Sequence, residues 1–150
     1  MHDTTLHAFL TSRGYTEIRL ARNAVGHFEL DAAIDGTTLR FLLDTGASRT
    51  VLDAGAAMRL GLALESSEQR AGGVGTASHA VQLTTVGSFS IGQVALGSRR
   101  VAVLDLSHVS ASLTGHGGNA IDGAIGGDIL GERDAIIEYT TAALYLASTR

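Results

Sequence analysis

One short stretch, LLDTGAS at residues 42–48, constrains the fold and the chemistry of this chain more than any other. It places the carboxylate of Asp44 directly after a hydrophobic run and two residues before Gly46, a pattern typical of a tight loop that follows a strand. A carboxylate in such a loop can activate water if its surroundings tune its pKa and exclude bulk solvent. Taken alone, Asp-Thr-Gly also suits an ordinary turn, so the rest of the chain must decide between a turn and a reactive site.

The composition favours one compact domain with a β-rich core. The chain has 150 residues, of which 45% are hydrophobic and 17% charged, enough for a core but too few for two lobes. Only 5% are aromatic, so the core must be built from aliphatic side chains, which suits a small barrel or sandwich.

Several function classes are disfavoured by the same composition. There is no Lys/Arg run for nucleic acid, no apolar run near the roughly 20 residues of a membrane span, and no secretory signal. We therefore expect a cytoplasmic protein with no membrane segment. The chain has no Cys, and its six His residues lack metal-ligand spacing, so we predict no metal site.

The hydrophobic pattern predicts many short strands and few helices. A hairpin is expected over 27–34 and 38–43, with a tight turn at Asp35-Gly36, and Asp53 is expected to cap a helix over 54–60. Other predicted elements are a helix at 5–13, a strand at 16–22, a Gly-rich hairpin at 65–82, strands at 83–91, 94–96 and 100–106, a polar loop at 107–119, a short helix capped by Asp128, and a closing hairpin at 135–139 and 143–146.

A second motif lies far along the chain and changes the interpretation of the first. The sequence DGAIGGDIL at residues 122–130 places Gly126 82 residues after Asp44. With LLDTGAS, it resembles the retropepsins, the single-lobe aspartic peptidases of retroviral type, and in particular their bacterial and cellular relatives. In that family the catalytic loop threads through a hydrophobic-hydrophobic-Gly element followed by a short helix. The resemblance covers residues 25–147, with GGVG at 72–75 where the family has its flap and a matching last hairpin.

The resemblance implies an all-β fold. We expect a retropepsin-like closed barrel or sandwich with one short C-terminal helix, a short mid-chain helix and a small N-terminal extension. Residues 1–24 would form that extension, as a short helix and a strand, and residues 25–150 the peptidase domain.

The resemblance also implies an aspartic endopeptidase that needs no cofactor. Such an enzyme needs two carboxylates that share a proton, and this chain carries the motif once, so we predict a homodimer with one Asp44 from each chain. The hydroxyl of Thr45 would bind the partner's loop, and the N–H of Gly46 would bind the carboxylate. The residues expected to contact a peptide substrate are Leu42, Ala47, Ser48, Gly73, Val74, Gly75 and Ile125.

Two other functions remain open from the sequence. Ala124 is small for the first apolar position of the distal element, and Gly127 replaces a larger residue where the helix begins. A dimeric peptide-binding or scaffold module that hydrolyses little would keep the same fold. A self-processing peptidase with one dedicated substrate would also fit.

Overall fold

The computed structural model describes residues 5–71 and 79–148, and for residues 67–71 and 79–80 it describes the backbone alone. The strands of this part of the chain are β1 Tyr15–Arg19, β2 Ala21–Arg22, β3 Phe28–Ile34, β4 Thr37–Leu43, β5 Val51–Asp53, β6 Glu65–Ala71, β7 His79–Ile91, β8 Val94–Leu104, β9 Gly123–Ile125, β10 Ile136–Glu138 and β11 Ala143–Ala147. The helices are α1 Leu6–Ser12, α2 Ala54–Arg59, α3 Ser107–Gly115 and α4 Gly127–Glu132. Within these residues, none of the helices is long and apolar enough to cross a membrane.

Six strands close into a barrel, as the predicted fold class requires. They follow the order β3-β4-β9-β5-β8-β7, and β7 returns to β3 through the antiparallel pairs Ala33–Ser90 and Ile34–Phe89. Closure leaves no open edge among these strands. Side chains less than 2% exposed fill the interior, with the rings of Phe41 and Phe89 5.7 Å apart at its centre. The mostly β fold with a closed barrel is confirmed.

A small second sheet lies beside the barrel. Its order is β1-β11-β10, and β1 pairs with β11 from Tyr15–Ala147 to Arg19–Ala143. Helix α1 covers this sheet by burying Leu10 against Ala143 and Tyr145. The elements predicted as an N-terminal extension therefore pack on the C-terminal strand. Their description as a separate unit stays a prediction.

One strand from late in the chain is inserted between two early ones. β9 runs parallel to β4 and antiparallel to β5, which separates strands that are close in sequence. The close packing of this inserted strand leaves no room for a side chain at Gly123 or Gly126. A Cβ on Gly123 would lie 2.5 Å from both the Phe41 ring and the Val51 carbonyl oxygen, and one on Gly126 would lie 2.6 Å from the Arg49 carbonyl oxygen. The glycine-rich run of the distal motif thus has a steric cause.

Local signals in the sequence predicted two features correctly. Asp35 and Gly36 both have positive φ, 48° and 84°, the backbone that a two-residue type I′ hairpin turn requires. Asp53 caps α2, because its carboxylate accepts hydrogen bonds from the N–H groups of Gly55 and Ala56 at 3.0 and 3.3 Å.

Two predicted elements were wrong. Residues 107–119 were expected to form a loop, but helix α3 forms there because Leu113 joins Leu106 and Ile121 in a buried cluster against the barrel. The expected break between strands at 94–96 and 100–106 is absent, since β8 is continuous. Gly97, with φ of 74°, produces a register shift opposite Phe89 without ending the strand.

The close approach at β9 predicts an asymmetry between two glycines that are five positions apart. Gly126→Ala should lower the free energy of unfolding by about 2 kcal/mol or more, because the new Cβ meets backbone atoms that cannot move aside. Gly131→Ala is the matched control, since no atom lies within 4 Å of its added Cβ. It should be neutral or stabilise α4 by up to about 1 kcal/mol. Urea unfolding of the two variants measures this difference, and an equal loss of free energy of unfolding in both would contradict the prediction.

A second prediction concerns how α4 is attached to β8. The Arg99 guanidinium donates hydrogen bonds of 3.1 and 3.2 Å to the Glu132 carboxylate and holds the pKa of Glu132 below its ordinary value. A lowered carboxyl pKa adds stability above the ordinary Glu pKa of about 4.3, and this stability is lost as the pH falls through the lowered value.

The Glu132 side chain is 42% exposed, so the contribution is small. Glu132→Gln should lower the free energy of unfolding at pH 7 by about 0.2–1 kcal/mol. The difference in free energy of unfolding between the variant and the original chain should become smaller in acid. Urea unfolding at pH 7 and at pH 3 tests this prediction, and a difference in free energy of unfolding that does not depend on pH would refute it.

Candidate active site

Asp44 lies at the end of β4, where the chain leaves the barrel. Its backbone N–H donates to the carbonyl oxygen of Ile125 at 2.9 Å, which continues the β4–β9 ladder by one residue. Its carboxylate oxygen Oδ1 accepts from the Gly46 N–H at 3.0 Å, and its carbonyl oxygen accepts from the Ala47 N–H at 3.2 Å. These bonds fold residues 44–47 into a tight turn. The carboxylate is partly exposed in that turn.

The loop is joined to the start of α4 by backbone hydrogen bonds. The N–H of Gly127 donates to the Ala47 carbonyl oxygen at 2.7 Å, and the N–H of Asp128 donates to the Ser48 carbonyl oxygen at 3.1 Å. A helix N-terminus has free N–H groups, and here the loop carbonyls satisfy two of them. The loop and the helix therefore hold each other in place.

Thr50, where the loop ends, is joined to the same region by its side chain. Its N–H and its hydroxyl both donate to Oδ1 of Asp128, at 2.9 and 2.8 Å, and its hydroxyl oxygen accepts from the Gly126 N–H at 3.1 Å. The sequence predicted Asp128 as a helix cap, which is wrong. The cap residue of α4 is Gly126, and Asp128 lies in the first turn, where its Oδ1 accepts hydrogen bonds from Thr50 and from the N–H of Ile129 at 2.9 Å.

An open cleft of about 270 Å³ adjoins Asp44. Its wall includes an aromatic pair, Phe28 and Tyr139, whose ring centroids are 5.0 Å apart. The Arg22 guanidinium lies 4.6 Å from the centroid of the Phe28 ring and donates to the Tyr139 carbonyl oxygen at 3.0 Å. The residues that line the cleft are Gly26, His27, Phe28, Leu42, Leu43, Asp44, Thr45, Ile137 and Tyr139.

The predicted site residues are distributed unevenly. Leu42, Asp44 and Thr45 line the cleft together, and the exposed Gly46 adjoins them in the loop. Ala47 and Ser48 lie further along the loop, where their carbonyls bond α4.

Among the described residues, Ile125 is a predicted site residue that lies away from the cleft. The side chain of Ile125 is fully buried in the barrel core, so it does not line the cleft, and only its carbonyl oxygen bonds Asp44. The predicted flap residues Gly73, Val74 and Gly75 lie outside the described residues.

The sequence did not identify the two aromatic residues of the cleft wall or the role of Thr50. Phe28 and Tyr139 are far apart along the chain, and no local pattern brings them together. The role of Thr50 could have been suspected from the sequence, because it is a polar residue at the start of a strand that enters the core.

The cleft contains one carboxylate from one chain. Among its described lining residues, Asp44 alone carries an acidic group. No cluster of three or more His, Asp or Glu side chains in residues 5–71 and 79–148 is arranged to hold a metal ion. Hydrolysis without a covalent intermediate needs both a base and an acid, and Asp44 is one carboxylate that could supply one of these two groups.

Comparison with known proteins places this arrangement in a family. The family described as Aspartyl protease matches residues 30–129, which begin within β3 and include the Asp44 loop and the first turn of α4. No significant match was found among curated proteins.

Solved structures show the same fold. A retropepsin-like aspartic protease from Rickettsia conorii superposes with a TM-score of 0.60 at 24% identity, over 88% of this chain and 90% of that one. The EIAV protease bound to the inhibitor HBY-793 superposes with a TM-score of 0.52 at 23% identity, over 71% of this chain and 86% of that one. The retroviral protease-like domain of Ddi1 from Leishmania major superposes with a TM-score of 0.52 at 15% identity, over 80% of this chain and 87% of that one. With the family match across two thirds of its length, this chain belongs to the aspartyl protease family and has the retropepsin-like fold.

Proposed function

We propose that this protein is an aspartic endopeptidase that acts as a homodimer, with Asp44 of each chain forming the catalytic pair. One observation carries the proposal: the Asp44 carboxylate lies at an open cleft, in a turn held by the Gly46 N–H, and no second acidic group lines that cleft among the described residues. The family supplies the expected chemistry, and a second copy of the chain supplies the missing carboxylate.

Two carboxylates are needed because peptide hydrolysis requires two proton transfers. Carboxylates about 3 Å apart cannot both ionise readily, so such a pair shares one proton. The ionised member accepts a proton from the attacking water. The protonated member donates a hydrogen bond to the substrate carbonyl, and the leaving nitrogen is protonated as the peptide bond breaks.

The surface around Asp44 suits contact with a second copy. Thr45 and Gly46 are exposed at the tip of the loop, and the Tyr139 side chain is 65% exposed although its ring packs on Phe28. β10, which precedes Tyr139, lies at the edge of the three-stranded sheet. An open strand edge beside an exposed aromatic side chain can pair across a two-fold axis. We propose that the Thr45 hydroxyl then bonds the partner's loop.

The proposed substrate is an extended peptide or protein segment. It would bind as an added strand over the paired Asp44 residues, held by backbone hydrogen bonds. Leu42, Ala47 and Ser48 are proposed to form part of its binding surface, and the segment that contains Gly73, Val74 and Gly75 is proposed to cover it. No cofactor enters this chemistry.

Replacing the proposed catalytic carboxylate should abolish cleavage. Asp44→Asn keeps the size of the side chain but cannot act as a base, so cleavage of a diverse peptide library between about pH 4 and 7 should fall by at least about 10³-fold. The matched control is Asp31→Asn, because Asp31 is a surface carboxylate with a 63% exposed side chain, paired with Arg40 on the barrel exterior. That variant should cleave normally.

The alternatives predict different outcomes for the same library. Cleavage that survives Asp44→Asn would remove Asp44 from catalysis. Absence of cleavage by the original chain, together with peptide binding, would indicate the scaffold module. Cleavage confined to the chain itself would indicate a self-processing peptidase.

A second prediction concerns the dimer. Tyr139→Asp should raise the dimer dissociation constant by at least about tenfold, since a desolvated aspartate costs free energy at an interface. The control is Met58→Asp, which places the same charge on a side chain that is 78% exposed on α2. Sedimentation equilibrium of the three proteins measures the difference. A chain that is monomeric at concentrations where it cleaves peptides would overturn the paired-carboxylate proposal.

A further inference from the structure

Thr50 is unusual because it is a buried polar residue whose hydroxyl is used twice. Its side chain is 2% exposed. The hydroxyl donates to Oδ1 of Asp128 at 2.8 Å and accepts from the N–H of Gly126 at 3.1 Å. A buried hydroxyl that both donates and accepts is fixed in orientation. Thr50 therefore has a defined rotamer and a defined position relative to α4.

The two ends of the Asp44 loop are anchored at neighbouring residues by different means. At the first end, the Asp44 N–H bonds the carbonyl oxygen of Ile125, a backbone bond that any residue could make. At the second end, the Gly126 N–H bonds the side chain of Thr50. The loop is also held by the backbone bonds from Gly127 to Ala47 and from Asp128 to Ser48, so the anchor that a side-chain substitution can remove is the Thr50 hydroxyl, together with the Asp128 carboxylate that orients it.

We propose that Thr50 and Asp128 are positioning residues that set the location of the Asp44 carboxylate. The inference rests on the proposed function, in which two Asp44 residues must meet closely enough to share a proton. A displacement of about 1 Å in such a pair can cost 10²-fold in rate. Neither side chain needs to touch substrate, because Thr50 is buried and the Asp128 carboxylate acts on the loop through the N–H and hydroxyl of Thr50.

The barrel provides a matched control for the Thr50 hydroxyl. Thr84 on β7 is 1% exposed, and its hydroxyl donates to the Ala63 carbonyl oxygen at 2.7 Å. Thr84 takes no part in the hydrogen bonds of the Asp44 loop. Replacement of either Thr by Val exchanges a buried hydroxyl for a methyl group of similar size, so both variants lose stability through the same cause. Only the change at Thr50 should affect the loop.

The decisive experiment compares Thr50→Val, Thr50→Ser and Thr84→Val as full-length folded proteins. Thr50→Val should lower kcat about 10–100-fold with little change in KM, because substrate contacts remain while the reacting groups move apart. Thr50→Ser keeps both hydrogen bonds and should restore kcat to within about threefold of the original chain. Thr84→Val should keep its kcat while its Tm falls. Equal kcat losses in the two Val variants, or no rescue by Ser, would overturn the proposal.

A readout that does not depend on activity separates this proposal from the proposed function. The Gly46 N–H bonds the Asp44 carboxylate, so its amide chemical shift reports the position of that group. Thr50→Val should move the NMR amide signals of Gly46 and Gly126, and Thr84→Val should move neither. If Gly46 is unaffected by Thr50→Val, the positioning role is wrong. If Thr50→Val moves both amide signals but the original chain cleaves no peptide, the positioning role stands and the peptidase proposal fails.

Discussion

The insertion of β9 between β4 and β5 is the constraint on which the rest of the structure depends. It completes the barrel, because β4 and β5 each pair with β9 and not with each other, and it brings residues 123–128 against the loop that leaves β4. The insertion is possible because Gly123 and Gly126 lack side chains where the neighbouring backbone comes within 2.5–2.6 Å of the Cβ position. Stability and site geometry therefore share one steric requirement.

The site combines a rigid support with an open surface. Below Asp44, the loop is held by backbone bonds to Ile125, Gly127 and Asp128 and by the buried Thr50 hydroxyl. Above it, Thr45 and Gly46 are exposed beside a cleft with an aromatic wall. A carboxylate on a rigid support can be placed accurately relative to a second group, which proton sharing requires. An open surface allows that group to come from another chain, as the proposed dimer requires.

The success of sequence-based prediction differed with the range of the interactions involved. The Asp35-Gly36 turn and the Asp53 cap were predicted correctly because each depends on neighbouring residues in the chain. Helix α3 was missed because its buried Leu113 is stabilised by Leu106 and Ile121, which flank a segment of low local helical signal. Asp128 was predicted to cap its own helix, but it lies in the first turn of α4, and its Oδ1 bonds Thr50, 78 residues earlier, as well as the Ile129 N–H. Ile125 was expected at the cleft, but the direction of its side chain is set by the barrel, which turns it into the core.

The sequence by itself determined the fold class, the tight loop that carries Asp44, and the presence of a distant glycine element that matches it. These features depend on local turn chemistry and on residue types that tolerate close backbone contact. The tertiary structure alone decided which groups meet at the site: the Phe28–Tyr139 wall, the Thr50–Asp128 anchor and the core position of Ile125. The physical reason is that these contacts join residues far apart in the chain. The insertion of β9 brings Asp128 to Thr50 and turns Ile125 into the core, and the packing of the second sheet beside the barrel brings Tyr139 to Phe28.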